Sequence, residues 1–448
     1  MALLQCAQPY LTLTTCRQFS RIIDAVLAIP GRVTMLGISR WTGKGGSYRT
    51  VQRFYYTVIP WALVFWLFVR QHLLAPEGVY LLAGDECVVP KAGHHTHGLD
   101  RFFSSLYDRP VPGLSFLALS LVSTQERRSY PVMVEQVVRT ADEKAAAQAR
   151  AKRGAQQSTG PQQPKPPGRP KGSQNKNKTQ VTLTPELQLL QNMVQKLLWL
   201  IGGTLALTYL VLDGKYGHNN ALQMTRQCGL QLISKLRGDA ALYFPYEGPY
   251  SGHGPRRKYG AKVDYDHLPP RYLQQTTVEG DIRTEIYQAP LLHKEFAQTL
   301  NVVIIVKTNL KTRARAHVIL FSSDLGLSYA LLIDYYSLRF QIEFNFRDAK
   351  QYWGLEDFMN VQETAVTNAA NLALFMVNVA QVQLRHFRQA YPQFSVLDLK
   401  AYCRGRKYVD ETLKLLPQKP DPIFITQIMG HIAQLGSIHP VVPPLHSS

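Results

Sequence analysis

Three acidic residues stand where a carboxylate can do chemistry. The apolar run Val79-Tyr80-Leu81-Leu82-Ala83-Gly84 ends in Asp85, and Leu207 to Leu212 ends in Asp213. Glu343 lies in a later segment of helical periodicity. Two strand-end aspartates and a helical glutamate offer the all-oxygen donor set that hard Mg²⁺ or Mn²⁺ ions favour. Two such ions about 3.5–4 Å apart clamp the attacking and leaving oxygens of an in-line phosphoryl displacement. Spacing alone does not single out these three, because most acids on a chain of 448 residues are solvated surface charges.

The segment around Glu343 narrows the choice. Tyr336, Arg339, Glu343 and Lys350 are offset by three, seven and fourteen residues. At about 100° per residue they fall within roughly a 60° arc of one helix face. Arg339 and Lys350 suit a phosphodiester beside the metals, and Tyr336 can donate to a further phosphate oxygen. The alternative is a solvated helix with i,i+4 pairs. It fits poorly, because Phe340, Ile342, Phe344 and Phe346 imply burial on several sides.

The spacing Y-x2-R-x3-E-x6-K resembles the Y-R-E-K signature of insertion-sequence family four of the bacterial DDE transposases. Arg339-Phe340-Gln341-Ile342-Glu343 and Gly354-Leu355 are similar to that family too. So are Tyr209 to Asp213 with Gly214, Tyr216 and Gly217, and Gly84-Asp85 after an apolar strand. The similarity runs from about Val79 to Gln383. It implies an α/β fold, a ribonuclease H-like core interrupted by a mostly β insertion domain before the glutamate helix. It implies Asp85, Asp213 and Glu343 as the catalytic, metal-binding triad for two Mg²⁺ or Mn²⁺ ions. Tyr336, Arg339 and Lys350 would be DNA contacts. The implied activity is cut-and-paste transposition: metal-dependent cleavage and strand transfer of an insertion sequence. The implied partner is double-stranded DNA, both terminal repeats and target, bound by a homodimer. Two departures stand out. Glu86 and Cys87 follow Asp85 where the family often has Asp-Thr. No tryptophan lies in 240–321 to hold a flipped base, which leaves Tyr243, Phe244, Tyr246 or Tyr250 as stacking candidates.

These residues need elements to position them. Leu114 to Val122 and Tyr130 to Val138 read as strands that join Val79 to Gly84 in a meander, turned at Arg127 and Arg128. Tyr329 to Trp353 reads as one long helix, and Thr364 to Phe387 as another. Ahead of the core, Phe19 to Ile29 is a helix stopped by Pro30. A second, capped by Thr34, reaches Arg40. After Gly43, Gly45 and Gly46, Ser47 caps a third that exposes Arg49, Gln52 and Arg53. This is either a helix-turn-helix with Arg49 and Arg53 toward DNA or an ordinary helical hairpin.

From Lys144 to Lys178 the chain carries nine basic residues, no acidic one and no large apolar side chain, so it cannot offset its ordering entropy. Its Gly168-Arg169-Pro170 core resembles an AT-hook. Arg169 is a candidate for the minor groove of A·T-rich DNA, the other reading being a solvated basic linker. Arg256, Arg257 and Lys258, beside Tyr259, form either a DNA contact or a solvated loop. His94, His95 and His97 lack a second ligand group for zinc and read as a basic loop.

The resulting layout has five parts. Residues 1–76 are a helical DNA-binding region. Residues 77–239 are the first part of the core, with a disordered basic linker over 141–181. Residues 240–321 are the insertion domain, 322–390 the core continued, and 391–448 a C-terminal region.

Composition agrees with a nucleic-acid partner. The 50 Lys and Arg outnumber 31 Asp and Glu, for a net charge of +19. The five cysteines are scattered with no C-x-x-C pair, against a disulfide framework or zinc knuckle. The apolar run Val58 to Val69 falls short of the about 20 residues a bilayer needs. A soluble protein without a membrane is expected, cytoplasmic and associated with the nucleoid as the bacterial family implies. The competing function is a noncatalytic DNA-binding regulator or domesticated transposase; a metal-dependent nuclease without strand transfer is a third.

Overall fold

The computed structural model describes residues 2–43, 45–104, 107–145, 149, 177–250, 252–418, 420–432 and 434–439. Arg169 and the Gly-Arg-Pro core lie outside the described residues, as does most of the basic linker.

Four helices open the chain: α1 (Leu13–Ala28), α2 (Met35–Thr42), α3 (Tyr48–Tyr55) and α4 (Trp61–His72). Thr12, Thr34 and Ser47 cap the first three, each side-chain oxygen accepting from a backbone N–H in the first turn. The Thr12 cap starts α1 before Phe19, where periodicity alone had placed it.

A twelve-stranded mixed sheet follows. Strands β1 (Tyr80–Pro90), β2 (Asp100–Ser104), β3 (Arg109–Ser123) and β4 (Arg128–Val137) form its antiparallel end. After α5 (Pro185–Ile201), strand β5 (Tyr209–Val211) joins β1 in parallel. Beyond α6 (Asn219–Gln227), β6 (Gln231–Leu236) pairs in parallel with β5.

The remaining strands are β7 (Leu242–Pro245), β8 (Tyr259–Lys262), β9 (Leu273–Glu279), β10 (Ile282–His293), β11 (Leu300–Asn309) and β12 (Arg315–Ser322). Segment 240–321 is thus rich in strand. Its last strand, β12, pairs with β6, so it extends the central sheet.

Five helices close the fold: α7 (Tyr329–Leu338), α8 (Gln341–Tyr352), α9 (Glu363–Arg388), α10 (Val396–Leu413) and α11 (Pro422–Ile432). The helix expected over Tyr329 to Trp353 is therefore two. Between them Arg339 N, Phe340 N, Ile342 N and Glu343 N all bond three residues back, so the chain overwinds into a tight turn. Helix α7 packs on β6, β10, β11 and β12, whereas α8 packs on β1, β3 and β4. Asn345 pins α8 to the sheet by donating to Ser129 Oγ at 2.8 Å and Ser120 Oγ at 3.3 Å.

Helix α9 is long and apolar enough to cross a membrane, but 83% of its apolar window is buried inside the protein. Its Phe375 ring meets Phe19, Trp61, Phe65 and Phe68 from the opening helices, with centroids 4.8–6.1 Å apart. Asn368 fastens the same junction. Its Nδ2 donates to Tyr55 O and Thr57 O, both at 2.8 Å, and its Oδ1 accepts from Trp61 Nε1 at 2.7 Å.

Candidate active site

The parallel pairing of β1 with β5 decides where two carboxylates go. Ala83 is opposite Val211; two residues on, Asp85 lies within β1, which continues to Pro90 and does not end at the carboxylate as expected, and Asp213 lies just past the end of β5 in extended backbone. Side chains alternate along a strand, so both project to the face that Ala83 and Val211 share. Neighbouring strands lie about 4.8 Å apart, which makes the aspartates close neighbours.

Glycine makes this approach possible. A Cβ on Gly84 would stand 2.9 Å from Leu212 Cδ2, and one on Gly217 would stand 2.1 Å from the Lys235 carbonyl oxygen. Between those contacts Asp213 caps a single helical turn, its Oδ1 accepting from Lys215 N at 3.2 Å.

Asp85, Asp213, Glu343 and Lys350 line one open cavity of about 980 Å³. Glu343 enters from the first turn of α8, where the helix dipole favours a carboxylate. Lys350, two turns on, donates to Val88 O at 2.9 Å and pairs with Glu356 at 3.0 Å.

Arg339 ties the carboxylates together. Its Nη1 donates to Asp85 Oδ2 at 2.7 Å and its Nη2 to Glu343 Oε1 at 3.2 Å, while its buried Nε has no hydrogen-bond partner among the described residues. The Tyr336 ring lies beside it, with Arg339 Cζ 6.0 Å from the centroid. Burial pushes the Asp85 carboxyl up to about 6, against the pull of Arg339 and with the repulsion of Asp213 and Glu343. Burial also raises Asp213.

The donors are carboxylate oxygens, the chemistry that hard divalent ions accept. Among the described residues, no group of three or more His, Cys, Asp and Glu side chains is drawn together to hold a metal ion. The immediate cationic partner of Asp85 is Arg339. The residue types fit a divalent ion, and a full carboxylate cage requires Arg339 to release Asp85 and Glu343.

Sequence reasoning missed a second network at this cavity. Lys215 Nζ reaches Glu86 Oε2 at 2.7 Å and Glu186 Oε1 at 2.5 Å, and Tyr216 OH donates to Glu186 Oε1 at 2.7 Å. Ser115 Oγ donates to Glu86 as well. Burial would raise the Glu86 carboxyl, but Lys215 and Ser115 outweigh it and hold it below its usual range. The available signal was local: Glu86 directly follows Asp85, and Lys215 comes two residues after Asp213.

The other candidate residues lie elsewhere. Arg49 and Arg53 are exposed on α3, whose Val51, Phe54 and Tyr55 are buried. Arg256, Arg257 and Lys258 are exposed ahead of β8, with Arg257 Cζ 4.8 Å from the Tyr246 ring centroid. None of these lines the cavity. Of the stacking candidates, Phe244 is already stacked on Tyr272, and Tyr250 is exposed.

Residues 7–289, more than half of the chain, match the family of DDE superfamily endonucleases, and the chain belongs to that family. The match takes in Asp85 and Asp213 and ends before Glu343. No curated protein sequence matches the chain. Membership gives the chain a DNA substrate and transposase-type DNA cleavage as its class of activity, in a superfamily that generally uses divalent metals. The large mixed sheet, with helices packed on it, is compatible with a DDE nuclease fold.

Proposed function

We propose that this chain is a DDE transposase of the insertion-sequence family four type, cutting DNA at the ends of a mobile element and joining them to a target. The core would be ribonuclease H-like, extended by the strands of 240–321. The observation that carries the reading is the delivery of Asp85 and Asp213 by adjacent parallel strands into the cavity that Glu343 and Lys350 also line.

Asp85, Asp213 and Glu343 would hold the divalent ions. Bound there, Mg²⁺ or Mn²⁺ would supply Lewis-acid activation of water and of the scissile phosphate. The chain's own groups do the positioning. Lys350 and, once released from Asp85, Arg339 would neutralise phosphate oxygens, and Tyr336 would donate to one. Lys215 holds Glu86 ionised in the cavity wall. The exposed arginines of α3 would read the terminal repeats. A homodimer would place one cavity at each element end, in the cytoplasm beside the nucleoid.

The test uses the full chain, Mg²⁺ and labelled duplexes carrying the flanking terminal repeats. Nicking and joining are expected, and Asp85→Asn, Asp213→Asn and Glu343→Gln should each abolish both while DNA binding persists. DNA binding without cleavage by the unmodified chain would favour the noncatalytic regulator. Cleavage without joining would favour a simple nuclease.

A further inference from the structure

A second cavity, of about 470 Å³, lies against the opposite side of α8. Gln341, Phe344, Asn345, Asp348 and Tyr352 face it, whereas Glu343, Phe346 and Lys350 face the first cavity. At about 100° per residue the two sets are on opposed helix faces. Arg347 lines both.

Arginines from separate elements converge on this second cavity. Arg127 and Arg128 come from the start of β4, Arg347 from α8 and Arg388 from the end of α9. Asp334 answers Arg127 at 2.8 Å, and Asp348 answers Arg347 at 2.9 Å. Among the described residues no carboxylate pairs with Arg128 or Arg388. Each is nonetheless held in place: Arg128 Nη1 donates to Gln381 Oε1 at 2.9 Å, and Arg388 Nε donates to Phe394 O at 2.8 Å. Burial, and then the Arg128 charge, hold the Arg388 guanidinium below its usual value.

The first turn of α10 completes the wall. Its capping acid Asp398 is fully buried and already accepts from Ser395 and His439, so it does not neutralise the arginines. Two fixed like charges facing a cavity call for a shared anion, and guanidinium forks suit phosphate.

We propose that this cavity is a second backbone-binding site, in which Arg128 and Arg388 share a phosphodiester of duplex DNA. Helix α8 would then carry the cleaved strand on its Glu343 face and another stretch of backbone on the reverse. The site rests on DNA as the substrate and not on catalytic competence.

The experiment measures binding of a labelled mixed-sequence duplex to the full chain without divalent metal, across a salt series. The Arg128→Gln/Arg388→Gln double variant should bind several-fold more weakly and lose about 0.9 from the slope of log affinity against log salt, the value of one phosphate contact. The Arg128→Lys/Arg388→Lys variant should recover most of the slope. An unchanged slope in a folded Gln variant would overturn the site. In the unmodified chain, duplex DNA should shield both arginines from a dicarbonyl reagent, read by peptide mass. Equal modification with and without DNA would overturn the site even if the double variant fails to fold. If the chain binds but never cuts, the transposase reading falls while this slope test still decides the site.

Discussion

Arg339 donates to Asp85 across 2.7 Å, so the side chain that best neutralises the β1 aspartate is itself a cation from the helical turn before Glu343. Both are largely buried, with side-chain exposures of 13% and 19%. An arginine and a divalent ion are rival counterions for the same oxygens.

Arg339→Ala should therefore leave Asp85 buried and unpaired. A loss of about 3–5 kcal/mol is expected in metal-free urea denaturation, the usual cost of removing one partner of a buried pair. Mg²⁺ should restore part of that loss and stabilise the unmodified chain less. Identical Mg²⁺ responses in the two proteins would show that ion and arginine do not compete.

Asp398 offers a pH test away from the Asp85, Asp213 and Glu343 carboxylates. Burial raises its carboxyl, yet hydrogen bonds from Ser395 and His439 outweigh that and hold it well below the usual range. Its contribution to stability is thus complete above the unfolded value, about 3.9, and is lost as pH falls below it. Asp398→Asn should cost about 2 kcal/mol at pH 7, the scale of a charged hydrogen bond. The difference between the two proteins should shrink in melts below pH 4.

Asn368→Ala removes three short hydrogen bonds at the junction of α3, α4 and α9. It strands the Trp61 N–H and two carbonyls, so a loss of about 3 kcal/mol is expected. A urea midpoint unchanged from the parent would mean that water replaces the amide.

Arg49→Ala or Arg53→Ala should weaken binding to the terminal repeats by about 1–3 kcal/mol if each reads a base. Titrations on repeat and random duplexes separate the cases: equal losses on both would assign these arginines to phosphate alone.

The two aspartates were legible because an apolar run leads into each, but β1 does not stop at Asp85: its pairing with β3 carries it on to Pro90. Gly84 before Asp85 and Gly217 after Asp213 are local marks of tight approach. The helix bearing Glu343 was legible too. Its break at Arg339 was not, since no proline or glycine marks it and apolar residues continue through Phe340 and Ile342. The Arg339 bridge and the Lys215 network join segments far apart in the chain, and no periodicity encodes such partners. The arginine-lined cavity behind α8 is likewise assembled from β4, α8, α9 and α10, and it exists only once they pack. The insertion segment was recognisable as strand, but its union with β6 depends on sheet register.

The knot of rings around Phe375 also bears on how the chain is made. Trp61 and Asn368 are 307 positions apart, yet they bond in the core. At about 5–20 residues per second, the opening helices leave the ribosome roughly 15–60 s before the face they pack on. Throughout that interval the Trp61-Ala62-Leu63-Val64-Phe65-Trp66 stretch of α4 lacks the part of its native cover that Asn368 and Phe375 supply. That part of the core closes only after residues 363–388 have been synthesised.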